Sequence, residues 1–181
     1  MVAITVSGKI GSGKSTLAKK LATSLNMEYF SVGRWFREKA EEAGVPIEEF
    51  IKNSVDNMHH QIDSHMKAIA KSKNVIIDAR LAGWMVPDAD LKIFLTAPSS
   101  VRAERIQRDK DNRPTEKKRE GESWEDEVNR RENGEWHKYK KLYDIDLRDL
   151  NAYDLVLNTE RISAEDLLEI IELIVKKTIK F

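Results

Sequence analysis

Eight residues near the start of the chain have the types and spacing of a phosphate-binding loop. They run from Gly8 to Ser15 and read G-K-I-G-S-G-K-S, which fits the pattern G-x-x-x-x-G-K-[ST]. Glycines allow the backbone to fold around an anion so that successive N–H groups point inward. In such a loop Lys14 reaches the β- and γ-phosphates of a nucleotide, and the Ser15 hydroxyl holds Mg²⁺. The alternative is a glycine-rich turn between a strand and a helix.

The segments on either side of this loop favour the phosphate-binding interpretation. The β-branched residues 2–6 predict a strand before the loop, and apolar residues at helical spacing predict a helix after it. The N-terminus of that helix adds the positive end of its dipole to the loop. We therefore expect the loop to bind the phosphates of a nucleotide. The residues expected to contact its phosphates are Gly8, Lys9, Ile10, Gly11, Ser12, Gly13, Lys14, Ser15 and Thr16.

Four further segments predict strands, and helical patterns separate them along the chain. They are residues 29–31, 75–78, 91–95 and 153–157. Strands that alternate with helices form parallel sheets that are covered on both faces. The sequence therefore predicts one α/β domain of the P-loop NTPase type, with three α/β/α layers around a five-stranded parallel sheet.

The composition argues against several classes of protein. The 181 residues include 31 basic and 31 acidic side chains, and this balance argues against binding nucleic acid by bulk charge. The lack of cysteine excludes a disulfide framework and a Cys-based zinc site. The apolar runs are too short to span a membrane, and the N-terminus does not resemble a signal peptide. We expect a cytoplasmic monomer with neither nucleic acid nor a membrane as partner.

Charged residues that could act on a phosphoryl group follow the third predicted strand. This strand ends in Asp78, which suits a carboxylate partner of Ser15 in holding Mg²⁺. Arg80 stands two residues further on. An acceptor that carries its own phosphate needs arginines of its own, because their planar guanidinium binds phosphate through two hydrogen bonds. The arginines available for this are Arg34, Arg37, Arg80, Arg130 and Arg131.

Residues 102–119 hold eight basic side chains against four acidic ones, with few apolar residues after Ile106. Composition alone favours a solvated loop between two helices. The alternative is a lid, since basic residues that close over a phosphate loop exclude water and stabilise the phosphoryl group during transfer.

Several segments, in the same order along the chain, resemble nucleoside monophosphate kinases. Residues 31–37 (S-V-G-R-W-F-R) resemble the S-x-G-[DE]-x-[LF]-R segment of that family. Residues 78–84 and 88–95 resemble cytidylate kinases in particular. Residues 131–139 resemble their R-[DE]-x-x-[DE]-x-x-[RK] helix, and residues 143–146 and 153–159 match the archaeal branch.

The resemblance implies a role for individual residues. Acceptor-binding residues would be Ser31, Arg37, Asp63, Arg80, Arg131, Glu135 and Lys138, with Arg37, Arg80 and Arg131 on the acceptor phosphate. Arg105 would lie against the ATP base, and Arg108 would face the ATP phosphates. The catalytic residues would be Lys14, Arg80, Arg108 and Arg131. Residues 33–73 would form a helical acceptor-binding segment, and residues 105–131 the lid.

The sequence departs from the family pattern at three positions. Arg34 replaces an acidic residue, and Leu81 stands where bacterial cytidylate kinases have an Asp that reads cytosine. Lys138 stands where the bacterial form has Arg, and lysine cannot make the same bidentate contact. Glu135 and Asp63 are the candidates for accepting a hydrogen bond from the cytosine amino group.

The resemblance implies a phosphotransferase that moves the γ-phosphoryl group of ATP to CMP, and also to dCMP, giving the diphosphate and ADP. Two alternatives stay open. One is the same fold with AMP, UMP or a small hydroxylated metabolite as acceptor. The other is a non-enzymatic nucleotide-binding module, although the base-reading motif N-K-x-D is absent from the sequence.

Overall fold

A five-stranded parallel sheet forms the centre of the molecule. The computed structural model describes residues 1–45, 50, 56–109 and 118–180. The strands are β1 (Ala3–Gly8), β2 (Glu28–Ser31), β3 (Val75–Asp78), β4 (Leu91–Thr96) and β5 (Leu155–Asn158). The helices are α1 (Lys14–Ser24), α2 (Val32–Glu42), α3 (Asp56–Ser72), α4 (Ala82–Met85), α5 (Ser99–Arg108), α6 (Trp124–Tyr143) and α7 (Ala164–Thr178).

The strand order is β2-β3-β1-β4-β5, and every neighbouring pair is parallel. This confirms the predicted five-stranded parallel sheet, although β5 begins at Leu155, two residues later than predicted. β1 lies in the middle, with Val6 opposite Asp78 of β3 and Gly8 opposite Leu95 of β4. Because parallel strands end at the same edge, the phosphate loop and Asp78 come to the same side of the sheet.

Helices cover both faces of the sheet and bury an apolar core on each side. On one face, Leu21 of α1 and Ile171 of α7 pack fully buried against β1 and β4. On the other face, Met66 of α3 packs with Met85 of α4 and Ile77 of β3. Complete burial of one such side chain contributes about 1.5–3 kcal/mol. The predicted three-layer α/β/α arrangement is thereby confirmed.

The long helix α6 has well-defined ends. Ser123 accepts a hydrogen bond from the Asp126 N–H, and the Asp126 carboxylate accepts one from the Ser123 backbone. This capping box satisfies two donors that the first helical turn leaves open. Asp144 ends the helix in the left-handed conformation, with φ of 57°.

The two predicted accessory segments are described in part. The acceptor-binding segment 33–73 contains α2 and α3, and its residues 46–49 and 51–55 lie outside the described residues. The lid segment 105–131 contains the end of α5 and the start of α6, and its residues 110–117 lie outside them. None of the helices in the described part of the chain has the length and apolar character needed to cross a bilayer.

Candidate active site

The phosphate-binding loop connects the end of β1 to the start of α1. Gly8, Gly11 and Gly13 have φ angles of 151°, 74° and 93°, a range that side chains disfavour. A Cβ atom on Gly8 would lie 2.3 Å from the Leu95 carbonyl oxygen. One on Gly11 would lie 2.7 Å from the carbonyl oxygen of Arg102. The path of the loop therefore requires glycine at both positions.

The start of α1 is arranged to bind an anion. The helix begins at Lys14 directly after Gly13, and no side chain in the described ranges caps it. Its first turn contains no acidic residue. Because the first N–H groups of a helix have no partner within it, they are available to a phosphate. In this first turn Ser15 is half-buried and Thr16 is exposed.

Arg105 lies beside the phosphate loop and is hydrogen-bonded to Thr159, a residue that sequence reasoning missed. Its guanidinium donates to the hydroxyl of Thr159 at 2.8 Å and to the Thr159 carbonyl oxygen at 2.6 Å. The Thr159 hydroxyl in turn donates to the carbonyl oxygen of Ser12 at 3.0 Å. The Ser12 side chain is fully buried, and its hydroxyl has no hydrogen-bond partner among the described residues. Thr159 is the last residue of the segment 153–159 that resembles the archaeal branch, but it was assigned no role from the sequence.

Arg108 occupies the last turn of α5 and is highly exposed. Its guanidinium forms a 2.9 Å ion pair with Glu104, one turn earlier on the same helix. Exposed pairs of this kind contribute little to stability, so their side chains can exchange partners readily. Arg108 stands next to residues 110–117, which lie outside the described part of the chain.

Asp78 is buried at the end of β3, with 3% of its surface exposed. Its Oδ2 atom accepts hydrogen bonds from the Tyr29 hydroxyl at 2.9 Å and from the Ser31 hydroxyl at 3.4 Å. Burial raises the pKa of Tyr29, and the charge of Asp78 raises it further. Tyr29 therefore stays a hydrogen-bond donor, and the two β2 residues orient the carboxylate. Ser31 also caps α2, because its hydroxyl accepts from the Arg34 N–H.

Arg80 links the start of the phosphate loop to α6. Its guanidinium donates to the Gly8 carbonyl oxygen at 2.8 Å and to Oε1 of Glu135 at 2.9 Å. Its Nε atom lies 2.7 Å from Oε2 of Glu135, which is an ion-pair distance without hydrogen-bond geometry. Burial lowers the pKa of Arg80, but the Glu135 carboxylate, together with Tyr139 and Asp78, outweighs this, and the net direction is upward. A permanent cation is thus held at the edge of the loop.

α6 carries three of the predicted acceptor-binding residues on one face. Arg131, Glu135 and Lys138 are separated by four and three positions, which places them one above another on a helix. All three are half-buried, and Arg131 lies 3.9 Å from the buried carboxylate of Glu127. Arg37, which is predicted to bind the acceptor phosphate together with Arg80 and Arg131, is exposed on α2.

Asp63 of α3 is buried against α6. Its Oδ2 atom accepts a 2.6 Å hydrogen bond from the hydroxyl of Tyr143. Burial raises the pKa of Asp63, and the hydrogen bond from Tyr143 offsets this only in part. Leu81, which replaces a base-reading Asp of bacterial relatives, is buried in the apolar core. It therefore presents no polar group to a nucleotide base.

A cavity of about 280 Å³ lies beside the first half of the phosphate loop. This volume is close to the lower end of the range of small-molecule sites. Its lining includes Gly8–Ile10 of the loop, Arg80, and Glu132 and Glu135 of α6. The structure thus gathers the loop, the arginine after β3 and the polar face of α6 around one space.

Sequence reasoning missed an ion-pair network between α5, α6 and the loop that is centred on a buried arginine. Arg102, which composition assigned to a solvated segment, is 2% exposed and pairs with Glu132 at 2.8 Å. Glu132 also pairs with Lys9 of the loop at 2.7 Å. One signal was available: Arg102 and the apolar Ile106 are four residues apart and share a helix face.

The sequence model of the cytidylate kinase-like family matches residues 3–161 of this chain. The chain is also similar to cytidylate kinases of several archaea. It is 42% identical to that of Pyrococcus horikoshii over 176 residues, which cover 93% of this chain and 85% of the relative. It is 38% identical to that of Ignicoccus hospitalis over 178 residues, which cover 95% of this chain and 98% of the relative.

Solved structures with lower sequence identity share the fold. A shikimate kinase from Acinetobacter baumannii, determined in complex with shikimate, superposes with a TM-score of 0.65 at 18% identity. The match covers 99% of this chain and 96% of that one. An uncharacterized protein from Eubacterium ventriosum superposes with a TM-score of 0.66 at 15% identity, over 97% and 99% of the two chains.

Proposed function

The chain belongs to the cytidylate kinase-like family, and we propose that it is an ATP-dependent phosphotransferase that phosphorylates CMP and dCMP. The products are CDP or dCDP, and ADP. The observation that carries the proposal is the position of Arg80. It is a cation held beside the first glycine of a phosphate-binding loop, where the phosphate of an acceptor nucleotide can meet the donor.

The donor ATP would occupy the loop and the adjacent end of α5. The loop N–H groups and Lys14 would bind the β- and γ-phosphates, because both present positive charge to the anion. Arg105 would lie against the base; its attachment to Thr159 supports this by holding it beside the loop. Arg108 would approach the phosphates from the lid segment, and the exposure of its ion pair supports such a movement.

The acceptor phosphate would bind to Arg37, Arg80 and Arg131. The rest of the acceptor site would consist of Ser31, Asp63, Glu135 and Lys138, which lie on the N-terminal side of α2, on α3 and on α6. Asp63 and Glu135 are the two buried or half-buried carboxylates able to accept a hydrogen bond from the cytosine amino group. Both oxygens of Glu135 lie close to the Arg80 guanidinium, at 2.9 Å and 2.7 Å, whereas Asp63 uses Oδ2 for its hydrogen bond with Tyr143. The second oxygen of Asp63 favours this residue as the one that accepts from the cytosine amino group.

Phosphoryl transfer to CMP depends on positioned substrates and on cationic side chains more than on a general base. An oxygen of the CMP phosphate is a nucleophile at neutral pH, and it attacks the γ-phosphorus of ATP. The bond from that phosphorus to the β-bridging oxygen breaks, and ADP leaves with the electron pair. Lys14, Arg80, Arg108 and Arg131 would stabilise the negative charge on the transferring group, which is the main task of the protein in phosphoryl transfer.

The oxygen donors at the loop fit Mg²⁺. Ser15 lies in the first turn of α1, and Asp78 is the last residue of β3, the strand next to β1. Mg²⁺ prefers oxygen ligands and keeps several waters, so one carboxylate and one hydroxyl are sufficient beside phosphate oxygens. When bound, Mg²⁺ would neutralise charge on the β- and γ-phosphates.

We further propose that residues 33–73 bind the acceptor, that residues 105–131 close as a lid, and that the protein is a cytoplasmic monomer that does not bind nucleic acid. The balanced charge of the chain supports the last of these points. Light scattering coupled to gel filtration tests the oligomeric state, and a titration with labelled DNA and RNA tests nucleic-acid binding.

The substrate assignment is tested by comparing kcat/KM for CMP, dCMP, UMP and AMP. We expect CMP to exceed AMP by at least about tenfold, because a site that hydrogen-bonds the amino group of cytosine leaves buried polar atoms unpaired with another base. ADP formation is the readout for every acceptor. Comparable kcat/KM values for CMP and AMP would be compatible with a kinase but would contradict the cytidylate assignment. If no acceptor gives ADP, both the kinase activity and the cytidylate assignment are contradicted.

The variant Asp63→Asn tests the role of Asp63 as base reader. Because the pKa of Asp63 is raised in the folded protein, its ionisation destabilises the fold progressively as the pH rises above the ordinary aspartate pKa of about 3.9. We expect the amide to raise Tm at neutral pH and to lose this advantage as the pH falls toward that ordinary value. We also expect kcat/KM for CMP to fall about tenfold, since a charge-assisted contact is lost.

Asp88→Asn is the matched control, because Asp88 is exposed on a loop away from the site. It should change neither Tm nor kcat/KM. If the Asp63→Asn variant is more stable but keeps the wild-type kcat/KM for CMP, Asp63 is only a buried structural residue. Glu135 then becomes the candidate for recognising the cytosine base.

A further inference from the structure

Arg102 is a buried cation that contacts the backbone of the phosphate loop but is not itself one of the proposed nucleotide-binding residues. A guanidinium that is 2% exposed needs partners for its donors, because burying an unpaired charge is costly. Its Nε atom donates to the Ala97 carbonyl oxygen at 2.9 Å, and Nη1 donates to the Ile10 carbonyl oxygen at 3.2 Å. Nη2 donates to the carboxylate of Glu132 at 2.8 Å. One side chain thereby joins the β4–α5 connection, the phosphate loop and α6.

The contact with the phosphate loop is close as well as polar. The loop passes so near α5 that a Cβ atom on Gly11 would lie 3.0 Å from the Cβ of Arg102. Next to it, Ile10 packs with Ile106 of α5 and Val128 of α6 in a small buried cluster. The position of α5 and α6 therefore depends on the path of the loop backbone, and the path of the loop depends on them.

Glu132 distributes its two oxygens between two cations. Oε2 accepts from Arg102, and Oε1 pairs with Lys9 at 2.7 Å. Burial raises the pKa of Glu132, but Lys9 and Arg102 outweigh this, and the net direction is downward. The carboxylate is therefore ionised at neutral pH. Lys9 of the loop and Arg102, which contacts the loop, are thus both paired with the same residue of α6.

Glu132 stands directly after Arg131 and one turn before Glu135. A rotation or shift of α6 that moved Glu132 would carry these two side chains with it, since a helix moves as a rigid element over one turn. Arg131 and Glu135 belong to the proposed acceptor site, and Glu135 also holds Arg80. The ion pairs of Glu132 therefore connect the donor loop to the helix that carries the acceptor residues.

We propose that Arg102 and Glu132 are positioning residues that couple the two nucleotide sites. When ATP binds, the loop backbone fixes the position of Arg102, and Arg102 fixes the position of Glu132. α6 is then oriented so that Arg131 and Glu135 face the acceptor. Binding of one nucleotide then raises the affinity for the other, and the effect is reciprocal. This inference rests on the proposed function for the identity of the two ligands.

The test is calorimetric titration of CMP with and without a non-hydrolysable ATP analogue. In the wild-type protein we expect the analogue to lower the Kd of CMP at least about fivefold. In Arg102→Met and in the isosteric Glu132→Gln we expect this ratio to fall to between one and about two. Glu165→Gln is the matched control, because Glu165 forms an exposed 2.6 Å ion pair with Lys20 far from the loop. It should keep the wild-type ratio.

Each variant is checked by circular dichroism at the assay temperature, and Glu132→Gln provides the test if Arg102→Met does not fold. A wild-type protein without coupling overturns the proposal. So does a folded variant that has a lower Tm but an unchanged ratio, since this marks a purely structural residue. If the wild-type protein phosphorylates a different monophosphate instead of CMP, the proposed substrate is wrong, and the same ratio is measured with that acceptor.

Discussion

Replacing Lys14 by alanine is expected to lower kcat by roughly 10²–10³-fold, the scale seen when one main charge-stabilising group is removed from a transition state. The ammonium group begins α1 at the phosphate loop, where negative charge accumulates on the γ-phosphoryl group during transfer. Because the side chain is only half-buried and lies outside the apolar clusters, the fold should stay intact. Steady-state assays with saturating ATP and CMP measure the loss, and thermal unfolding checks the fold.

Lys19→Ala is the control for this experiment. Lys19 lies on the same helix but is exposed and away from the loop. It should retain wild-type kcat within about twofold, as expected for a surface substitution. A folded Lys14→Ala protein that keeps more than about a tenth of wild-type kcat would rule out the proposed role of Lys14.

The second large effect is expected for Arg80. Arg80→Ala should raise the KM for CMP about 10- to 100-fold, because a hydrogen bond to a charged group contributes on the order of 1.5–3 kcal/mol. The Kd for ATP should change much less, since the contact of Arg80 with the loop is to the Gly8 carbonyl oxygen and not to the N–H groups that bind phosphate. We expect changes in the same direction for Arg37→Ala and Arg131→Ala.

Two comparisons separate binding from folding in this experiment. Loss of Arg80 leaves the half-buried Glu135 without its cation, so Arg80→Lys is made in parallel to keep the charge and remove the planar fork. It should restore Tm but only part of the affinity for CMP. Arg34→Ala removes an exposed arginine that pairs only with Glu38 in the described structure, and it should leave both ligands unaffected. Equal losses of CMP and ATP binding in Arg80→Ala would move Arg80 out of the acceptor site.

The sequence by itself was sufficient for the phosphate loop and for the class of fold. The glycine spacing from Gly8 to Gly13 and the apolar strand before it are local patterns, and the structure has a loop with positive φ angles between a strand and a helix there. All five predicted strands are present and parallel. Such features follow from short-range sterics and from hydrophobic periodicity, which a single segment carries within itself.

Only the tertiary structure decided which charged side chains meet. Arg80 pairs with Glu135, 55 residues away, and Asp63 accepts from Tyr143, 80 residues away. Arg102 looked like part of a solvated basic segment, yet it is among the most buried charges of the molecule. The strand order β2-β3-β1-β4-β5 likewise has no counterpart in the order of the segments along the chain.

The physical reason is that the partner of a charge depends on burial, and burial depends on how whole elements pack. An arginine on an isolated helix is hydrated, and its sequence neighbours do not reveal whether another helix will cover it. Once α5, α6 and the loop close around Ile106 and Val128, the guanidinium of Arg102 loses water. Its partners are then the carbonyl oxygens of Ala97 and Ile10 and the carboxylate of Glu132. Local sequence thus determined the loop that binds phosphate, and packing determined the ion pairs that connect it to α6.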